Sequence, residues 1–161
     1  CGGPLQIKKL TALLATVLTV VALSGCSLSR NVSSLDPYSP SDGVVSDIGS
    51  LKARNLLFIK SEGSQAVLIG SFVNSSDTAI SANIQTVDQD NNRTVYEFEV
   101  GPKAKYDLGY GGNLGILLEI AEGPGSMHTI FVSDGMSPIQ LAVPVLDGSL
   151  EEYRPFLELL D

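Results

Sequence analysis

Two residue groups in this chain could do chemistry: a cysteine placed for modification, and a lone histidine flanked by methionines. Cys26 closes the sequence Leu23-Ser24-Gly25-Cys26. Small residues just before a cysteine let a peptidase approach the backbone. The pattern matches a lipobox, in which the thiol is diacylated and becomes the new N-terminus after cleavage. Lys8 and Lys9 form a short basic patch upstream, and Leu10 to Leu23 follow without a charge. That run suits a signal-peptide core and falls short of the roughly 20 apolar residues that span a bilayer. Residues 1–25 are therefore expected to be a lipoprotein signal peptide, with Leu23, Ser24 and Gly25 as its lipobox and Cys26 as the lipidated residue. Two acyl chains suffice for stable anchoring, at about 0.8 kcal/mol per buried CH₂. The other cysteine, Cys1, leaves with the signal, so the mature domain has no disulfide and no thiolate metal site.

The single histidine, His128, stands beside Met127, with Met136 further on. Thioether and imidazole suit Cu(I), so Met127, His128 and Met136 form one candidate metal set. Neighbouring residues on a strand point to opposite faces, which works against convergence of Met127 with His128. The plainer alternative is a satisfied histidine, with the methionines as core or loop filler. Other constellations are incomplete. Ser126 and His128 evoke a hydrolase, but Gly123-Pro124-Gly125-Ser126-Met127 lacks the closing glycine of a nucleophile elbow. Gly109 to Gly115 is glycine-rich without a following Lys or helix, and reads as a tight turn, not a phosphate loop. Asp88, Asp90 and Asn92 alternate like the start of a calcium loop, but Arg93 stands where glycine is required, and a hairpin turn explains them. No catalytic group is expected.

The formal charge is −8, and loss of Lys8 and Lys9 makes the mature chain more acidic still. With no Lys/Arg cluster, nucleic acid is excluded as a partner, and so is polybasic binding to anionic lipid. Membrane lipid would be engaged through acylated Cys26 alone.

These residues need elements to position them, and the pattern beyond Cys26 is β. Residues 26–49, with Pro37 and Pro40 among Ser, Asn and Asp, read as the lipidated cysteine and a flexible tether. Residues 50–147 read as the folded body and 148–161 as a C-terminal tail. Strands are expected at 54–60, 66–73, 79–87, 94–100, 103–108, 116–120, 127–133 and 139–146. The second is nearly all apolar, as a strand covered on both faces should be. The third and fourth alternate, with Ile80, Ala82, Ile84 and Thr86 on one face, and Tyr96 and Phe98 opposed to Glu97 and Glu99. Pro144 lacks an N–H, so the last strand should be an edge there. About eight short strands without a helix before the tail indicate an all-β, immunoglobulin-like sandwich. In the tail, Leu150, Tyr153, Phe156, Leu157, Leu159 and Leu160 crowd around Pro155. They either fold back onto the sandwich or dock a partner, with Tyr153, Phe156, Leu157 and Leu160 as the contact residues.

Residues Asp42 to Tyr153 resemble the actinobacterial LpqE-type lipoproteins, distant relatives of the PCuAC periplasmic copper chaperones. The matching features are Ser41-Asp42-Gly43-Val44, Leu51-Lys52-Ala53-Arg54-Asn55, and the strand Ala66 to Val73 leading into Asn74-Ser75-Ser76-Asp77. Gly111-Gly112, Pro124-Gly125-Ser126 and Val143-Pro144-Val145-Leu146, with Glu152-Tyr153 close behind, complete the set. The resemblance implies a cupredoxin-like β-sandwich. It does not carry the copper ligands across. In the chaperones a His ends the strand matching Ile84 to Val87, and a His-x-Met follows the Gly-Gly turn. Here Val87-Asp88 stands at the first place, and Leu114 and Ile116 stand at the other two. The resemblance therefore implies a metal-free accessory lipoprotein, without enzymatic activity, at the outer face of the cytoplasmic membrane. It suggests a role at the copper-containing cytochrome bcc–aa3 respiratory supercomplex. The alternative is an extracytoplasmic copper carrier for oxidase assembly, with its site relocated to Met127, His128 and Met136.

Overall fold

The computed structural model describes residues 41–88 and 92–160. The expected signal peptide and lipobox, with Cys26, lie outside the described residues, as does Asp90. Alternation drives the architecture. In β4 (Ile80–Val87), Ala82, Ile84 and Thr86 are buried while Ser81 is exposed. In β5 (Arg93–Val100), Tyr96, Phe98 and Val100 turn inward and Glu97 and Glu99 face solvent. A strand with one apolar face must bury it against a second layer. The layers that form are all-β, so the expected sandwich is what the sequence builds.

The described strands are β1 (Val44–Ile48), β2 (Leu51–Lys60), β3 (Gln65–Asn74), β4, β5, β6 (Lys105–Leu108), β7 (Ile116–Glu119), β8 (Met127–Ser133) and β9 (Ile139–Leu146). The order across the sheet is β5-β4-β8-β9-β2-β3-β6, with β1 added on β2 and β7 on β3. The strand β9 belongs to both layers. It runs antiparallel to β8 and then parallel to β2, pairing Val145 with Phe58 and Leu146 with Ile59. The opposite edges nearly meet, since the Tyr96 hydroxyl on β5 donates to the Leu117 carbonyl on β7 at 3.3 Å. The result is a nearly closed sandwich.

Its interior is filled by Phe58, Leu68, Phe72, Ile84, Ile130 and Val143, among others. Phe98 packs between Phe72 and Tyr106, each ring pair 4.9 Å apart. A second cluster lies on the outer face of β2 and β3, where Leu57, Ile59, Val67 and Ile69 are covered by Tyr153 and Phe156. Two covered faces explain why Ala66 to Ile69 is an unbroken apolar run. The cover is a 3₁₀ turn (Glu151–Tyr153) followed by α1 (Arg154–Leu157), with Pro155 in the first helical turn, where its missing N–H is harmless.

Two expectations need correction, and one pair of alternatives is decided. The stretch 26–49, read as tether, contains β1. Its pairing with β2 passes a bulge at which Asn55 adopts φ 51° and its side-chain oxygen accepts the Gly43 amide at 2.9 Å. The short strand was masked by flanking Asp and Gly residues. Pro144 does not make β9 an edge strand. Its partner on β8 is Met127, and the parallel pairing to β2 begins only at Val145, so the absent N–H falls just before that ladder. The tail side chains Tyr153 and Phe156 are buried, and Leu157 and Leu160 pack partly against the same cluster. They are used within the domain, so the fold-back alternative describes them.

Candidate functional site

Strand direction places one end of the sandwich apart chemically. The strands β2, β4, β7 and β9 finish there, and β3, β5 and β8 begin there. Inward rows that are apolar in the middle of the sandwich turn polar at this end. Lys60 lies two residues beyond Phe58, Asp88 two beyond Thr86, and His128 two before Ile130. With a side-chain period of 2, buried Lys60 and His128 continue the interior rows, while Asp88, just past β4, is exposed at the rim. The segment Ile120–Ser126 crosses the same end, between β7 and β8. Together they line a cleft of about 520 Å³.

Lys60 is only 4% exposed. A buried ammonium needs its hydrogens satisfied. Lys60 Nζ donates to the Ile120 carbonyl at 2.6 Å and the Glu122 carbonyl at 2.9 Å, which fastens the crossing segment to β2. Glu122 in turn pairs its Oε2 with His128 Nδ1 at 2.8 Å. Burial alone raises the Glu122 carboxyl, but its own backbone amide and the His128 ring outweigh that, with help from the nearby Lys60 charge. The net effect holds it below the usual carboxylate range. A carboxylate accepts only, so Nδ1 carries the shared hydrogen.

His128 is 7% exposed and meets the Phe58 ring edge to face at 5.3 Å. Its Nε2 is buried and has no hydrogen-bond partner.

The sequence-derived sets do not assemble. Met127 is 52% exposed and points away from the interior, opposite to buried His128. Met136 is 81% exposed and lies past the far end of β8, about 20 Å of strand from Met127. A copper site from Met127, His128 and Met136 is therefore corrected to a histidine facing in and two methionines facing out at opposite ends of one strand. Among the described residues no three of His, Cys, Asp and Glu converge to hold a metal ion. Ser126 donates its hydroxyl to the Gly123 carbonyl, a local turn, and not to His128. Asp88 accepts from the Asn92 amide and side chain at 2.8 and 2.9 Å, which is the expected hairpin turn.

Lys60 and Glu122 were not anticipated as site residues. The phase of Lys60, two residues after an inward Phe58, was the available signal; nothing local marks Glu122. Asn74, within the resemblance motif, is also a buried hub. Its Nδ2 donates to the Thr78 carbonyl at 2.7 Å and its Oδ1 accepts the Ser76 amide at 2.8 Å, at the opposite end of the sandwich.

No protein-family description and no curated protein matches the chain. Among solved structures it is similar to the copper-bound PCuAC domain from PmoF2, at 13% identity and a TM-score of 0.49, over 65% of this chain and 98% of that one. No helix among the described residues is long and apolar enough to cross a membrane.

Proposed function

We propose that this chain is a non-enzymatic binding lipoprotein, held by acylated Cys26 at the outer face of the cytoplasmic membrane. The observation that supports a binding role over a catalytic one is how the polar side chains at the strand ends are engaged. His128 is bound to Glu122, Ser126 to a carbonyl, and Lys60 to two carbonyls. A nucleophile needs a base within hydrogen-bond reach, and the Ser126 hydroxyl is turned onto the Gly123 carbonyl instead. What remains is a cleft that can receive a ligand.

The anchor restricts the partner to what a tethered, acidic sandwich reaches from the membrane surface. The resemblance to LpqE-type lipoproteins supports a membrane protein complex, with the cytochrome bcc–aa3 supercomplex as the specific candidate. Affinity capture of the full chain from mild detergent extracts tests this. Oxidase or cytochrome subunits are expected to co-purify above a Cys26→Ala control. Their absence from the captured fraction contradicts the respiratory role.

A further inference from the structure

We propose that the tail-covered face of β2 and β3 docks a membrane-embedded protein through an exposed apolar patch of Tyr110, Leu114, Leu117 and Leu159. The partner surface has an apolar centre ringed by lysine and arginine. This deepens the anchored binding role proposed above and rests on it.

The apolar part comes first. The tail covers the outer cluster incompletely. Leu117 on β7 stands opposite Val67, a member of that cluster, so its exposed side chain emerges on the same face. Tyr110 lies against Phe156, and the Leu159 amide closes a turn onto the Phe156 carbonyl at 3.3 Å. Both side chains are exposed. Leu114 is 78% exposed, next to Gly115, where a side-chain carbon would strike Val67 and Ile69. Its turn is held in place. The Asn113 amide donates to the Tyr110 carbonyl at 3.1 Å, and the Asn113 side chain donates to the Asp107 carbonyl at 2.9 Å. A fixed turn that lifts a leucine into solvent gains little within the domain. Exposed apolar groups gathered on one face mark an interaction surface.

Charge selects the occupant. Glu119 lies two residues past Leu117, hence on the same face, and Glu151, Glu152 and Glu158 are exposed in the tail, with Arg154 as its one cation. Glu152 is near enough to Tyr110 that its charge adds to burial in raising the Tyr110 hydroxyl. A second copy docked face to face would set like-charged rims against each other, and anionic headgroups would meet the same carboxylates. A protein surface with basic residues around an apolar centre complements both parts of this face. Position agrees. The Tyr153 hydroxyl donates to Asp42 Oδ2 at 2.8 Å, so the chain from Cys26 joins the domain beside the patch. Fully extended, the stretch from Cys26 to Asp42 spans about 55 Å, so the partner lies in or at the same membrane. Tethering raises the partner's effective concentration, and a patch of four side chains then suffices.

The test is site-specific photo-crosslinking of the full chain in its native membranes, with p-benzoylphenylalanine in place of Leu114. The control carries it in place of Val95, which is exposed on the outer face of the opposite layer. The adduct is identified by peptide mass spectrometry. Expected at Leu114 is an integral membrane protein, joined through a segment that places Lys or Arg among apolar residues; no such adduct is expected at Val95. Reversing the rim with Glu119→Lys and Glu152→Lys together is expected to lower the yield about fivefold, with the thermal midpoint unchanged because both positions are exposed. The proposal is overturned if the Leu114 adduct is with lipid, a second copy or residues 26–40 of the same chain. It is also overturned if the joined segment lacks basic residues, if rim reversal leaves the yield unchanged, or if no adduct forms. An adduct at Val95 in place of Leu114 overturns this surface and leaves the anchored binding role standing, since co-purification of the partner is read separately.

Discussion

At the scale of single residues, the buried polar pair Lys60 and His128 behaves differently from the rest of the interior. Lys60 is expected to be structural. Lys60→Met removes the donors to the Ile120 and Glu122 carbonyls and leaves partly buried acceptors behind, so a loss of about 1–3 kcal/mol is expected in a denaturant titration. His128 is expected to be dispensable for folding. It keeps one nitrogen unsatisfied, which costs stability; its bond to Glu122 is to a carboxylate exposed enough for water to replace it; and it faces Phe58 through a ring contact that another aromatic can supply. His128→Phe should therefore unfold within about 1 kcal/mol of the parent. A loss of about 3 kcal/mol or more would show that the imidazole is a structural group. Copper is tested by Cu(I) competition with the full chain. No tight one-to-one complex that His128→Ala abolishes is expected, because Met127 and Met136 sit on the solvent side at opposite ends of β8. The sequence exposed the conflict between Met127 and His128 through strand phase alone. It could not show that Glu122, six residues earlier, returns to His128, because that contact depends on how a loop crosses the end of the sandwich.

At the scale of elements, the tail is the most informative piece. Phe156 meets Tyr110 edge to face at 5.2 Å and sits over Ile69, and the Tyr153 hydroxyl donates to Asp42 Oδ2 at 2.8 Å. The 3₁₀ turn and α1 have no side-chain caps, so apolar contact and this one hydrogen bond hold them. Burial, reinforced by the Asp42 carboxylate, pushes the Tyr153 hydroxyl well above its ordinary value of 10.0. Folding thus favours the protonated form. The stabilisation is complete below pH 10 and is lost as pH rises toward the raised value. Tyr153→Phe should lower stability by about 1 kcal/mol at neutral pH and flatten the alkaline limb of the unfolding curve. Gly148→Ala should also loosen the tail, since the added carbon would fall 2.1 Å from Leu157 Cδ1. All eight strands expected from patterning and turn chemistry are present: half-buried ones such as β4 and β5 alternate with period 2, and β3, covered on both faces, reads as a short apolar run between turns. The strand β1 was missed because Val44–Ile48 places Ser46 and Asp47 between its apolar residues. The tail left two alternatives, since leucine and aromatic density marks an apolar surface without saying what covers it.

At the scale of the whole molecule, acidity and anchoring belong together. Acid should destabilise the sandwich through carboxylates held low by partners. Asp107 is one: Lys105 and then Ser71 donate to it and keep it below its ordinary 3.8. Its contribution is present above that value and is lost as pH falls through the lowered one, so stability should decline below about pH 4. Asp107→Asn should make that acid limb shallower, as followed by far-UV circular dichroism. The large excess of acidic over basic residues leaves no electrostatic means of holding an anionic bilayer. Under the proposed anchoring, attachment would rest on Cys26. The most direct measurement is the intact mass and N-terminal sequence of the protein extracted from membranes. Expected is a chain that begins at Cys26 and carries a thioether-linked diacylglycerol, with residues 1–25 removed. A membrane-extracted chain that retains those residues, or whose Cys26 thiol is free, contradicts the anchored binding role.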